Sequence, residues 1–119
     1  MEIKEEKWRP IVGYEEFYEV SDNGRVRSKI KNTRIRDKEN GIMRQKYDTK
    51  GYLRVNLTKD GKRKAWLVSR LVAMAFVENP KNYKIVGHDD DVKTNNNAGN
   101  LYLFLRNIVT GKQIGRAHV

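Results

Sequence analysis

The sequence predicts an α+β fold in which small antiparallel β-hairpins precede a hairpin-and-helix core. Two turn signals, Asn23-Gly24 and Asp60-Gly61, each lie between short extended runs. Asn, Asp and Gly tolerate the positive φ that tight hairpin turns demand. One run, Leu71, Val72, Met74, Ala75 and Phe76, has the apolar spacing of a helix.

Taken in order, residues 1–7 are charged, and Trp8–Val12 offers apolar residues beside a proline. Gly13-Tyr14 reads as a turn. Phe17–Val20 and Arg25–Ser28 are extended arms around the Ser21–Gly24 turn, which makes a first hairpin. Lys29–Lys50 is dense in charge and poor in large apolar residues. It reads either as a solvated loop or as an arm lying along DNA.

Gly51–Leu57 alternates, with Leu53, Val55 and Leu57 on one face, and so predicts a half-buried strand. The Asp60-Gly61 turn leads into a return strand over Arg63–Val68. Ser69 is placed to cap a helix that runs through Val77 and stops at Glu78-Asn79-Pro80. Ile85-Val86 is a short strand, His88 follows at once, and an acidic, Asn-rich loop fills Asp89–Gly99. Asn100 opens Leu101–Arg106, which fits strand or helix by period alone.

A chain of 119 residues can hold one domain, or a compact core with a small appended module. Its 25 Lys and Arg against 15 Asp and Glu give a formal net charge of +10. A positive field of that size commonly serves to attract phosphate backbones and release their counterions. A membrane surface is a poorer match, because no basic amphipathic helix with a broad apolar face is present. The absence of cysteine excludes disulfides, Cys-zinc sites and Cys nucleophiles. No apolar run approaches spanning length and Met1–Trp8 has no apolar signal core, so a cytoplasmic location is expected.

The stretch richest in chemistry is Val86–Leu101, where His88 ends an apolar segment and begins a loop holding Asp89, Asp90, Asp91 and the run Asn95-Asn96-Asn97. Loops bearing such groups on a rigid scaffold are commonly functional, although a plain turn is the alternative. Leu67–Phe76, Asn79-Pro80, His88 and the Asn-Asn…Asn-Leu element together resemble the HNH domain of phage homing endonucleases. Trp8–Tyr14, Tyr18–Ser21 and Asn23–Ser28 resemble the nuclease-associated modular motif found ahead of such domains. The two matches cover most of residues 8–105.

That resemblance implies an N-terminal module with a basic arm over residues 1–50 and an HNH-like ββα-metal domain over 51–113. Residues 114–119 match one reading frame of a common sequencing adapter and are expected to be a non-native tail, so His118 carries no functional weight. It also implies that a β-hairpin sets a catalytic His beside a divalent ion, Mg²⁺ or Mn²⁺, while a helix packs across. His88 matches the general base, and Asn100 matches the Asn that orients it through a hydrogen bond.

The family's metal ligands do not carry over. The residue before the His, usually Asp or Asn, is Gly87, and the third motif position falls near Val109, with Asn107 the nearest substitute. Asp89 and Asp90 are the candidate replacements. Ser69 stands where a His is frequent.

The expected partner is duplex DNA, bound by a monomer, with Arg25, Arg27, Lys29, Arg34, Arg36, Arg44, Lys46, Lys62, Arg63 and Arg70 as candidate contacts. Three activities fit: a DNA endonuclease, an inactive relative that only binds DNA, and a phage inhibitor of a host defence nuclease or nucleoprotein complex of the anti-CRISPR kind.

Overall fold

The computed structural model describes residues 5–29, 41–79, 81–106, 109–110 and 112–118. Among these residues three small antiparallel sheets follow one another along the chain. Strands β1 (Trp8–Pro10), β2 (Tyr18–Ser21) and β3 (Val26–Ser28) form the first, in that spatial order. Strands β4 (Lys46–Tyr47), β5 (Leu53–Lys59) and β6 (Lys62–Leu67) form the second. Helix α1 (Val68–Phe76) then leads to β7 (Ile85–His88), β8 (Leu101–Arg106) and β9 (Gln113–His118) in the third. The α+β class and its hairpins are therefore as the sequence predicts.

Both predicted turns form. In the β5–β6 turn Asp60 and Gly61 have φ of 53° and 75°. Two successive positive φ values match the twist of a tight hairpin, which is why Asp-Gly serves there. The pairing Asn56↔Ala65 continues to Arg54↔Leu67 without a bulge. Period-2 alternation then sends Val55 and Leu57 inward, 3% and 0% exposed, and Arg54 and Asn56 outward.

Four elements go beyond the sequence reading or depart from it. Trp8–Pro10 is a strand, pairing Arg9 with Val20. Within the expected basic arm, residues 30–40 lie outside the described residues, whereas Lys46 and Tyr47 form an edge strand on β5. Helix α1 begins at Val68, not after a Ser69 cap: Leu67 is the N-cap and no side chain caps it. Strand β6 runs straight into the helix, and both Val68 and Ser69 are buried against the sheets. Finally, Leu101–Arg106 is a strand, with β9 paired alongside it, Leu103 opposite Ala117.

The helix that packs on the β7–β8 hairpin is consequently α1, which precedes the hairpin in sequence. Its Ala73, with Val77 just after its end, meets Leu103 and Val86. The larger core joins the N-terminal sheet to the rest: Ile11, Val20 and Val26 pack with Leu57, Leu71, Val72 and Leu101. Tyr18 ties the first two sheets together, since its hydroxyl accepts from Thr58 N at 3.1 Å and donates to Thr58 O at 3.4 Å. Among the described residues no helix is long and apolar enough to cross a membrane.

Candidate nuclease centre and nucleic-acid interface

His88 is the last residue of β7, opposite Leu101 across the hairpin, and is 8% exposed. A buried imidazole needs a partner for each polar nitrogen that water cannot reach. Its Nε2 lies 2.9 Å from Oδ1 of Asn96, itself 4% exposed. The Tyr52 ring lies beside the imidazole, 5.9 Å between centroids and tilted by 35°. Tyr52 also carries the Lys93 ammonium 5.1 Å above its ring.

Asn100 does not make the hydrogen bond to His88 that the family pattern suggested. Its Nδ2 donates to Asp90 Oδ1 and to the carbonyl of Asn95, both at 2.9 Å. Its Oδ1 accepts from Asp90 N at 3.2 Å, and its carbonyl accepts from Asp89 N at 2.8 Å. Asn100 thus closes the base of the 89–95 loop, while Asn96 holds the histidine. The sequence marks the Asn95–Asn97 run as unusual, but only the loop path selects its middle member.

The positions expected to hold a divalent ion are occupied otherwise. Gly87 has no side chain, and a Cβ there would meet the Tyr102 ring, 2.6 Å from its hydroxyl oxygen. Val109 sits in a turn, 93% exposed, and Asn107 lies outside the described residues. Asp89 pairs with Arg116 at 2.8 Å, and that guanidinium stacks over Tyr102.

The Asp90 carboxylate accepts from Asn95 Nδ2 at 2.7 Å, from Val92 N at 2.9 Å and from Asn100. The Asn95 amide first, then the Val92 N–H and the Asn100 amide, hold it below its usual carboxylate range. No three His, Asp or Glu side chains converge as a cation site among the described residues. One partnered carboxylate and one salt-bridged carboxylate make a poor donor set for a hard cation.

The candidate DNA contacts separate into two groups. Arg25 pairs with Glu6 and lies 5.5 Å from the Trp8 ring, so it ties the N-terminal sheet together. Arg27 pairs with Glu19 at 2.9 Å and stacks on Trp8 at 4.0 Å. Lys29 donates to the Glu15 carbonyl. Arg34 and Arg36 lie outside the described residues.

Arg44 and Lys46, by contrast, line a trough of about 350 Å³ on the outer face of the second sheet, whose floor includes Asn56 and Ala65. Lys62 and Arg63 stand exposed on β6, with Arg63 opposite Thr58. The trough continues through Arg54 and Ala65 into a groove of about 680 Å³ lined by Tyr52, Ser69, Arg70 and Lys84. Arg70 there donates to the Lys84 carbonyl.

Asp48 is the acidic residue of this path, and its carboxylate already accepts from Lys50 N and Tyr52 N and faces Arg54 at 3.7 Å. Arg54 and Lys84 were not among the sequence candidates, and Lys50 entered only as the end of the Lys29–Lys50 arm. Arg54 was recoverable there, because alternation that buries Leu53, Val55 and Leu57 turns Arg54 outward.

Residues 6–58 match the NUMOD4 motif. The DNA endonuclease I-HmuI of Bacillus phage SP01 is 34% identical over 110 residues, 92% of this chain and 59% of that protein. The uncharacterized HNH endonuclease L245 of Acanthamoeba polyphaga mimivirus is 39% identical over 84 residues, 71% of this chain and 23% of its own length. A solved structure described as DNA binding and cleavage by the HNH homing endonuclease I-HmuI superposes with a TM-score of 0.66 at 37% identity, over 80% of this chain and 50% of that one. The chain therefore spans only part of the relatives it matches. With the motif at its N-terminal end and His88 at the head of its hairpin loop, the chain belongs to the HNH homing endonuclease family.

Proposed function

We propose that this chain is an HNH endonuclease-like phage protein that binds duplex DNA as a monomer in the host cytoplasm, with metal-dependent cleavage weak or absent. The observation that carries the reading is the continuous basic path from the outer face of β4–β5–β6 to Tyr52, beside His88. Lys46, Arg54, Arg70 and Lys84 along it supply charge without sequence preference, while Asn56 and Thr58 on the same face can reach base edges or phosphates. The names of the relatives support the same substrate.

In this reading His88 is the general base and Asn100 holds the loop behind it. Gly87, Val109 and the engaged carboxylates of Asp89 and Asp90 leave the donor set of a Mg²⁺ or Mn²⁺ centre incomplete, so the reading favours binding over cutting.

Two assays on one preparation test it. Gel shifts with a duplex over a salt series should give an affinity that falls linearly on a log–log plot, by roughly 0.9 per phosphate contact. Supercoiled plasmid with Mg²⁺ or Mn²⁺, beside a His88→Ala control, should show little nicking by either protein. Absence of a shift at low salt overturns the binding claim, and nicking abolished by His88→Ala overturns the loss of cleavage.

A further inference from the structure

We infer that Asn96 is a positioning residue for His88, and that the Asp22–Gly24 turn of the NUMOD4 segment holds Asn96 in place, so the N-terminal module completes the histidine site. The role of His88 as base rests on the reading above; its positioning does not.

An amide oxygen can only accept, so Nε2 of His88 donates to Asn96 Oδ1 across 2.9 Å. The neutral ring is then the Nε2–H tautomer, and Nδ1 keeps the lone pair that can take a proton. Both residues are more than nine-tenths buried, so water does not compete for this bond. The Tyr52 ring limits rotation of the imidazole.

Asn96 itself rests on the other module. Gly24, at φ 81°, lies so close that a Cβ there would stand 2.8 Å from the Asn96 Cβ and 3.0 Å from its carbonyl oxygen. On either side the contact is fastened by hydrogen bonds. Ala98 N donates to Asp22 O at 2.7 Å, Asn97 Nδ2 to Asn23 Oδ1 at 3.1 Å, and Gln45 Nε2 to Gly24 O at 2.8 Å. Residues some 70 positions apart in sequence thus form one hydrogen-bonded corner behind the histidine. Gly24 therefore has a second duty beyond the turn: it is the one residue small enough to let the loop approach.

Long-range ¹H–¹⁵N spectra of the neutral His88 ring test this without any metal or cleavage. The wild type should show a protonated Nε2 and an unprotonated Nδ1. Asn96→Ala should shift both nitrogens toward averaged values, and Asn96→Asp, which keeps the acceptor, should restore the wild-type pattern. Gly24→Ala should average the ring as Asn96→Ala does. If Gly24→Ala does not fold, Asn23→Ala, which removes the bond to Asn97 together with the Asn23 contact to Glu6 at the far side of the turn, should average it in part.

A wild-type ring protonated on Nδ1, or a pattern unchanged in Asn96→Ala, overturns the role of Asn96. A folded Gly24→Ala with wild-type shifts, or in its place an unchanged Asn23→Ala, overturns the role of the turn. Gel shifts of the wild type report on the DNA reading separately, because the ring spectra need no DNA. Loss of binding by the wild type itself would count against the DNA reading and leave the tautomer result standing.

Discussion

The Tyr102 hydroxyl stands 2.6 Å from the point where a Cβ on Gly87 would lie. The ring thus takes the volume that a carboxylate ligand beside His88 would need. Gly87→Asp should be an overpacking change costing about 1–3 kcal/mol, read as a lowered denaturant midpoint at constant slope. Adding Tyr102→Ala should recover part of that loss, and calorimetric titration should detect Mn²⁺ binding in the double variant but not in Gly87→Asp alone. Additive effects of the two substitutions on stability would show that the ring and the missing side chain do not compete.

The division of the arginines gives a second expectation. Arg54→Ala should weaken duplex binding and lower the salt slope by about 0.9, the signature of one lost phosphate contact. Arg25→Ala should leave the slope unchanged, because that guanidinium is already committed to Glu6 and Trp8. Its stability cost should stay below about 1 kcal/mol, as for a half-exposed ion pair. Equal slopes for Arg54→Ala and the wild type would remove the trough from the interface.

Much of this was legible in the sequence. Asn23-Gly24 and Asp60-Gly61 located two hairpins because their backbone demands are local. The α1 spacing located the helix because one face meets the core. What stayed open or failed depended on distant partners. Leu101–Arg106 has no decisive period; pairing with Ile85–His88 on one side and Gln113–His118 on the other makes it a strand.

Ser69 is a good cap in isolation, yet β6 passes into α1 with no turn for a cap to occupy. Within the site, His88 announced itself by type and place. Asn96 did not, since three consecutive asparagines differ only in which one the loop turns inward. A count of charge likewise could not tell Arg25, held by Glu6, from Arg54, turned out along the groove.

Tyr18 links the first two sheets at a point where both partners of a backbone pair, Thr58 N and Thr58 O, meet one hydroxyl. Tyr18→Phe keeps the ring against Tyr14 and removes only that oxygen. The loss should be about 0.5–1.5 kcal/mol, the net worth of an ordinary hydrogen bond, since Thr58 is exposed and water can replace the hydroxyl. Thermal unfolding should remain one transition with a lower midpoint. Separation into two transitions would mean that this single hydroxyl, and not the shared Ile11–Leu101 core, couples the N-terminal sheet to the rest.

Asp90 gives a pH dependence whose sign can be worked out. Hydrogen bonds from the Asn95 amide, the Val92 N–H and the Asn100 amide favour its ionised form, so its folded pKa lies below the unfolded one. The unfolded chain then binds the extra proton as pH falls, and stability falls with it. The contribution of Asp90 is complete above the unfolded carboxylate value and is lost as pH drops through the folded one. Asp90→Asn, which cannot ionise, should be less stable than the wild type at neutral pH, and the two curves should converge in acid. A gap that stays constant down to the acid limit would show that the loop is held by shape and not by the charge of Asp90.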